Sequence, residues 1–361
     1  MILKILDRYI IKKFLGTFVY MILAFVVVAV VFDVSENIDD LIKSGAPFHE
    51  ILIDYYLNFC FYFGNLLSSF IVFLAIIWIT SKMAQQTEIV AMLSGGISFR
   101  RLMVPYFITA AILVTTSLLL SHFVVPYANR TKFEFELKYL KGAINVDEKN
   151  IHREIEPGTI VHFKTVIPAK QSGTQFSLEK WKNEKLVFKI NASNAKRDTL
   201  KNVWTLTDAE IRTINADGSE YISFKTKMDT TLNMAITDFA QRSEVVSTMN
   251  YGELTRYIQA EKDRGSGNIE QAEIEKYGRT SNAFGIFVLT LIGVSLSSRK
   301  TRGGTGLHIL LAVIVGFTFL FVARITTVAA ANEGLPASIA VWIPNLLFLL
   351  VGIFIYIKAQ K

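Results

Sequence analysis

Read for apolar runs, the chain divides into three long hydrophobic stretches, a polar middle, and three more. The runs are Phe14–Phe32, Ile53–Thr80, Met103–Val125, Tyr277–Leu296, Leu307–Ala331 and Ala337–Ile357. Each supplies the roughly 20 apolar residues that a helix needs to cross about 30 Å of hydrocarbon. The pattern predicts six transmembrane helices, three before and three after a large hydrophilic insertion.

Between the third and fourth runs, about 126–276, the period changes from helical to two. Leu186, Phe188 and Ile190 alternate with Lys185 and Lys189, and Ile222, Phe224, Thr226 and Met228 alternate with Tyr221, Ser223, Lys225 and Lys227. Such strands bury one face and solvate the other. Ala216-Asp217-Gly218-Ser219 is a hairpin signal, and Glu156-Pro157-Gly158 and Gln171-Ser172-Gly173 read as further turns. Short strands without long helical pattern predict a β-sandwich or jelly roll over 126–250. From Asn250 the spacing turns helical again (Leu254, Tyr257 and Ile258 inward; Glu253, Arg256 and Lys262 outward), and Gly265-Ser266-Gly267 breaks it. A helical return segment over 251–276 then leads into the second membrane half, 277–361, while 1–125 makes the first.

Composition fits this division. Hydrophobic residues are 51% and charged residues 19% of 361 positions, an apolar excess for a water-soluble chain. The net charge of +7 points away from nucleic acid, because the basic residues cluster beside the spans, where they set topology. Lys4, Arg8, Lys12 and Lys13 precede the first span; Lys82, Arg100 and Arg101 lie between the second and third; Arg299, Lys300 and Arg302 lie between the fourth and fifth; Lys358 and Lys361 follow the sixth. The alternate segments are acidic: Asp33–Glu50 sets Asp33, Glu36, Asp39 and Asp40 against Lys43, and Asn332–Pro336 has only Glu333. The distribution predicts cytoplasmic termini and an extracytoplasmic β domain. Cys60, the only cysteine, excludes an internal disulfide.

The N-terminal apolar run is longer than a signal-peptide core and lacks a small-x-small cleavage site, so it reads as an uncleaved anchor. Ahead of it, Ile2, Ile5, Leu6, Tyr9, Ile10 and Lys13 share a helical face, with Lys4, Asp7, Arg8 and Lys12 off it. That pattern fits a helix lying along the inner leaflet, and equally a plain basic flank.

The segment Lys82–Leu102 carries an apolar stripe of Met83, Ile89, Val90, Met92 and Leu93, stopped by Gly95-Gly96; glycine takes the left-handed conformation of a helix stop. A short helix over 82–94 between two spans is a surface that a motor subunit can push on. Glu88 is either its charged handle, accepting from a partner's Arg or Lys, or a solvated carboxylate on an amphipathic loop helix.

Leu6-Asp7-Arg8-Tyr9, Thr87-Glu88-Ile89-Val90-Ala91-Met92 with Ser94-Gly95-Gly96-Ile97-Ser98, Tyr251-Gly252-Glu253-Leu254 and Arg302-Gly303-Gly304-Thr305-Gly306 together resemble the LptF/LptG (YjgP/YjgQ) permease family over the whole chain. The resemblance implies an ABC exporter subunit that lifts lipopolysaccharide from the periplasmic leaflet of the inner membrane. It implies a periplasmic β-jelly roll, a coupling helix on a cytoplasmic LptB-like ATPase involving Thr87, Glu88, Met92, Gly95 and Gly96, a second permease or second copy, and LptC/LptA-like periplasmic bridge proteins. Spans one and five are the implied lateral gate. One departure is Asn282-Ala283-Phe284, where a proline commonly opens span four.

Arg324 lies inside the fifth run, with Gly316, Ala323, Thr327 and Ala331 forming a small-residue side. An intramembrane charge marks a function: Arg324 faces an anionic glycolipid in a vestibule, or pairs with Asp54, and the two are compatible. Arg130 and Lys132 follow Pro126, and Lys43 is the lone base of the first acidic segment. All three sit at the depth of outer-leaflet phosphates, which the resemblance implies they engage; snorkelling at the interface also explains such positions.

No catalytic motif competes with this reading. HExxH, paired CxxC and GxSxG are absent, His152 and His162 read as solvated strand residues, and Gly303-Gly304-Thr305-Gly306 lacks the Lys-Ser/Thr of a phosphate loop. No cofactor is expected, and ATP hydrolysis falls to another polypeptide. A membrane-embedded enzyme acting on lipid-linked sugars would need clustered acids or histidines at the membrane face, where Asp39-Asp40 is the sole pair. A mechanotransmission-type ABC protein places its large domain after span one, and an ion-coupled carrier needs acids at mid-membrane.

Overall fold

The computed structural model describes residues 4–140, 151–167, 171–182, 185–198, 203–215, 218–232, 243–263, 269–299, 304–332 and 334–359. The predicted turn at 216–217, the break at 265–267, and Lys300, Arg302, Gly303, Glu333 and Lys361 lie outside these residues. The chain divides into two units: 1–132 with 248–251 and 270–361, and 133–247 with 252–269.

Among the described residues six helices are long and apolar enough to span a membrane: Ile5–Lys43, Ser68–Gln85, Phe99–Leu140, Ile269–Ser297, Gly304–Asn332 and Ala337–Lys358, taken below as spans one to six. Span one runs unbroken for 39 residues, about 58 Å at 1.5 Å per residue. The N-terminal amphipathic stretch, the first apolar run and the acidic stretch through Asp40 are therefore one helix. No breaker interrupts them before Ser44-Gly45, where Gly45 takes a positive φ of 66°. The long second run does break: a helix over Asn58–Leu66 precedes Ser68–Gln85, with Leu67 at φ −89° and ψ −1° between them. Span four is one uninterrupted helix through Asn282-Ala283-Phe284.

Spans two and four form the interior, contributing Phe73, Ile76, Ile77, Leu289 and Ile292, all fully buried. Glycines let the helices approach. A Cβ on Gly293 would stand 2.8 Å from Ile76, and one on Gly316 of span five 2.5 Å from Phe70, the small-residue packing expected where no hydrophobic force separates helix from lipid. Side-chain amides tie the spans together. Asn65 donates to Ser121 at 2.8 Å and accepts from Ser117 at 2.9 Å, while Asn345 of span six donates to the Ser281 carbonyl at 2.8 Å.

The second unit carries an antiparallel six-stranded meander: β1 (Ile151–Glu156), β2 (Thr159–Ile167), β3 (Ser172–Lys182), β4 (Lys185–Asp198), β5 (Val203–Ile214) and β6 (Glu220–Thr230), paired in chain order. An all-β domain thus stands between spans three and four, as the alternation predicts. Its apolar face is built by Val161, Phe163, Phe176, Leu178, Ile190, Ala195, Trp204 and Leu206. The Glu156-Pro157-Gly158 turn closes β1 onto β2, with Gly158 at φ 77° and its Cα so close to the Trp181 carbonyl that a Cβ would lie 2.5 Å from that oxygen; only glycine fits.

Alternation holds only in pieces. Buried positions are spaced by two along Val161 and Phe163, then by three to Val166; by three from Gly173 to Phe176, from Ala192 to Ala195 and from Leu206 to Ala209. At these steps the ladders skip one pair between β2 and β3 and between β3 and β4, and two between β4 and β5, and Gln175 and Asp208 take positive φ of 49° and 51°. The interruptions fall opposite one another, so the register is unchanged while the apolar face of each strand moves on by one residue. The steps lie side by side across β2 to β5. Ser193 stitches the line, donating to the Thr207 carbonyl or the Asp208 carboxylate at 3.0 Å. On the edge strand β6 the expected one-sided burial is not seen: Tyr221, Ile222 and Phe224 are exposed, Phe224 by 78%.

Candidate functional site

Span two ends at Gln85, and the chain turns at Thr87, which takes a left-handed φ of 61°. A short helix, Glu88–Ser94, follows; it starts later than the 82–94 stretch read from the sequence because Met83 and Ala84 still belong to span two. Its stop is a complete Schellman turn. The Ile97 amide donates to the Met92 carbonyl at 3.2 Å, the Gly96 amide to the Leu93 carbonyl at 3.1 Å, and Gly96 has φ 86°. Ile89 is buried, Met92 and Leu93 are half-buried, and Val90, Ala91, Ser94, Gly95 and Gly96 are exposed. The helix thus seats one edge on the spans and offers the other outward.

Glu88 is held from within the chain. The Tyr9 hydroxyl donates to its carboxylate, 2.9 Å from one oxygen and 3.1 Å from the other, and Lys13 Nζ reaches both oxygens at 3.2 and 3.3 Å. Tyr9 and Lys13 are one helical turn apart on span one, and the ammonium lies 4.2 Å from the Tyr9 ring centre. Sequence spacing gave no signal for this, because the partners are 75 and 79 positions away.

Two turns toward the start of span one, Asp7 is 1% exposed. Arg101 grips it with both guanidinium nitrogens, at 2.7 and 2.6 Å, and the Lys4 amide donates to it at 2.9 Å. A bidentate fork of this kind makes burial of a carboxylate tolerable. The face read as apolar is accordingly redrawn: Ile5 is 90% exposed, while Asp7, Ile10 and Phe14 point inward.

Lys132 lies over three rings, 5.8 Å from Tyr55, 5.6 Å from Phe59 and 5.6 Å from Tyr62, close enough to act on the charge of Asp33. Tyr55 in turn donates to Asp33 at 3.3 Å. This gathering of Asp33 of span one, Tyr55 of the Ile51–Leu57 segment ahead of span two and Lys132 of span three was not foreseen. Lys43 and Arg130 are exposed. Arg324 is exposed on span five and, among the described residues, has no ion pair with Asp54 or any other acid. Of the small-residue side, Gly316 is buried against Phe70, while Ala323, Thr327 and Ala331 are half-buried.

On the sheet, His152 and His162 are not isolated. They face each other across β1 and β2 with ring centres 4.3 Å apart, beside Glu179, which accepts from Lys189 at 2.8 Å. They border a polar recess of about 460 Å³ on the face opposite the apolar core. Burial and the facing imidazole hold His162 below the usual histidine range, and the Lys189 ammonium lowers Glu179. Among the described residues no group of three or more histidines, cysteines or acids can hold a metal ion.

Six membrane-length helices with an antiparallel sheet inserted after the third define a multi-pass membrane protein. The family model for the lipopolysaccharide export system permease LptF/LptG matches residues 8–358, and the chain belongs to that family. It is on this ground a multi-pass inner-membrane protein of lipopolysaccharide transport. No curated protein matches it.

Proposed function

We propose that this chain is the transmembrane permease subunit that extracts lipopolysaccharide from the periplasmic leaflet, driven by a separate cytoplasmic ATPase. The observation that carries the reading is the helix Glu88–Ser94: seven residues, too short to stand alone, yet fixed by a buried Ile89, a Schellman stop and an anchored carboxylate. Rigid seating with an exposed outer edge is what a force-receiving element requires. Thr87, Glu88, Met92, Gly95 and Gly96 make up this coupling site. The distribution of Lys and Arg puts it, and both termini, in the cytoplasm and the β domain in the periplasm.

Six spans make half of a lipid-sized cavity. Spans one and five are less buried than spans two and four, leaving apolar faces for a second permease of the same type and for lipid. Lys43, Arg130, Lys132 and Arg324 provide the cations for lipid A phosphates, and the sheet passes the lipid to a periplasmic bridge of β-jelly-roll proteins. Co-purification with the ATPase, lost in Glu88→Lys, tests the scheme. Retention of the ATPase by that variant, or labelling that places Lys225 in the cytoplasm, would refute it.

A further inference from the structure

We infer that Tyr9 and Lys13 are positioning residues for Glu88, so that displacement of the short helix is passed directly to span one. The inference rests on the coupling reading of Glu88 and extends it by naming where the motion goes. Chain connectivity alone would pass a push on Glu88–Ser94 to spans two and three, which flank it in sequence. The side chains provide another path.

The start of the short helix is poorly secured by its own residues. Thr87, at the N-cap position, takes the left-handed conformation and gives the helix no side-chain cap; its hydroxyl donates instead to the Gln86 carbonyl at 2.6 Å. A β-branched residue there is strained, and an N-cap bond ordinarily holds the first turn. What holds the first turn is Glu88. Its two oxygens are bracketed by the Tyr9 hydroxyl and the Lys13 ammonium, both on span one.

Span one is in turn clamped at its start. Asp7 and Arg101 form a two-pronged pair with the carboxylate buried, joining span one to the first turn of span three. The segment from Asp7 to Lys13, two helical turns, therefore has one fixed point and one mobile point. The fixed point is Arg101 and the mobile one is the short helix. A shift at Glu88 then tilts a 39-residue helix about its own end. Tyr9 has one proton to give and Lys13 gives at most one to each oxygen, so of the roughly four acceptor positions of an ionised carboxylate about one stays open to a partner's guanidinium.

The test uses the complete exporter reconstituted in proteoliposomes, comparing lipid released per ATP hydrolysed. Tyr9→Phe removes only a hydroxyl from a partly exposed ring, and Lys13→Met keeps the aliphatic stem. Each is expected to lower the ratio about fivefold, equivalent to about 1 kcal/mol, with ATP hydrolysis and subunit assembly retained. Neither is expected to add to the loss caused by Glu88→Gln, because all three act through one contact. If Glu88→Gln lowers the ratio while Tyr9→Phe and Lys13→Met do not, the positioning role is wrong and the coupling reading stands. If Glu88→Gln leaves the ratio unchanged, both fall.

Discussion

Asp7 and Arg101, 94 positions apart, meet through two parallel hydrogen bonds of 2.6 and 2.7 Å, with the carboxylate buried and the guanidinium partly open. This pair fixes the start of span one against span three. Removing Arg101 alone leaves a solvent-shielded carboxylate without its counter-charge, which is destabilising. Arg101→Met should therefore lower the thermal midpoint in detergent more than the double change Asp7→Asn with Arg101→Met. Equal losses would show that the pair carries no such burden.

The stop of the short helix gives a contrast between neighbours. Gly96 is left-handed, at φ 86°, whereas Gly95 is at φ −72°. Gly96→Ala should cost about 1–2 kcal/mol of local stability, reorienting Ile97 and weakening ATPase capture in a pull-down. Gly95→Ala should be milder. A stronger effect at Gly95 would contradict the Schellman geometry.

Two glycines of span five should respond in opposite directions. Gly316→Ala places a methyl against Phe70 and should cost about 1–3 kcal/mol through overpacking. Gly306 has nothing within 4 Å of an added Cβ, so Gly306→Ala should gain up to about 1 kcal/mol from helix propensity. Thermal melts of the two variants against the parent decide it.

Arg324, exposed and without an acid partner among the described residues, is available to an anion. Arg324→Ala should reduce photo-cross-linking to lipopolysaccharide while the complex still assembles. Unchanged capture in a folded complex would make the residue structural.

The sheet should soften in acid. His162 is held below its ordinary value of 6.5 by burial and by His152, so the unfolded chain binds the extra proton first. The stability this neutral ring contributes is complete above pH 6.5 and is lost as pH falls through 6.5 toward the depressed folded value. Glu179, lowered by its hydrogen bond from Lys189, adds stability above 4.5 that is lost as pH falls below it. Amide exchange in β1–β3, corrected for its intrinsic pH dependence, should rise between pH 7.5 and 5.5 and do so less in His162→Gln. An identical rise in that variant would exclude the histidine.

Much of the architecture was legible because membrane spans report themselves through length and hydropathy, which need no tertiary partner. The short helix and its glycine stop were equally readable, since both rest on local backbone preference. Glu88 was read either as a handle for another protein's cation or as a solvated carboxylate, and neither reading reached Tyr9 and Lys13, because nothing in the first turns of span one marks which face meets a segment 75 positions on. Asp7 was placed on the wrong face for the same reason: residue type argues for water, and only Arg101 makes burial tolerable.

The strands show the boundary most clearly. Alternation was read on two stretches only and named Ile190, Phe188 and Met228 of the apolar face; simple period-two reading fails at Lys164-Thr165, Thr174-Gln175, Ser193-Asn194 and Thr207-Asp208, where two residues instead of one separate the buried positions in each of four neighbouring strands. Such steps are paid for jointly by adjacent strands, so no single strand announces them. The sequence by itself determined six spans, an inserted all-β domain and a short, glycine-stopped connection, because each follows from local hydropathy and backbone conformation. Only the tertiary structure decided which carboxylates meet which cations, since an ion pair is set by the distance between side chains that the chain brings together from afar.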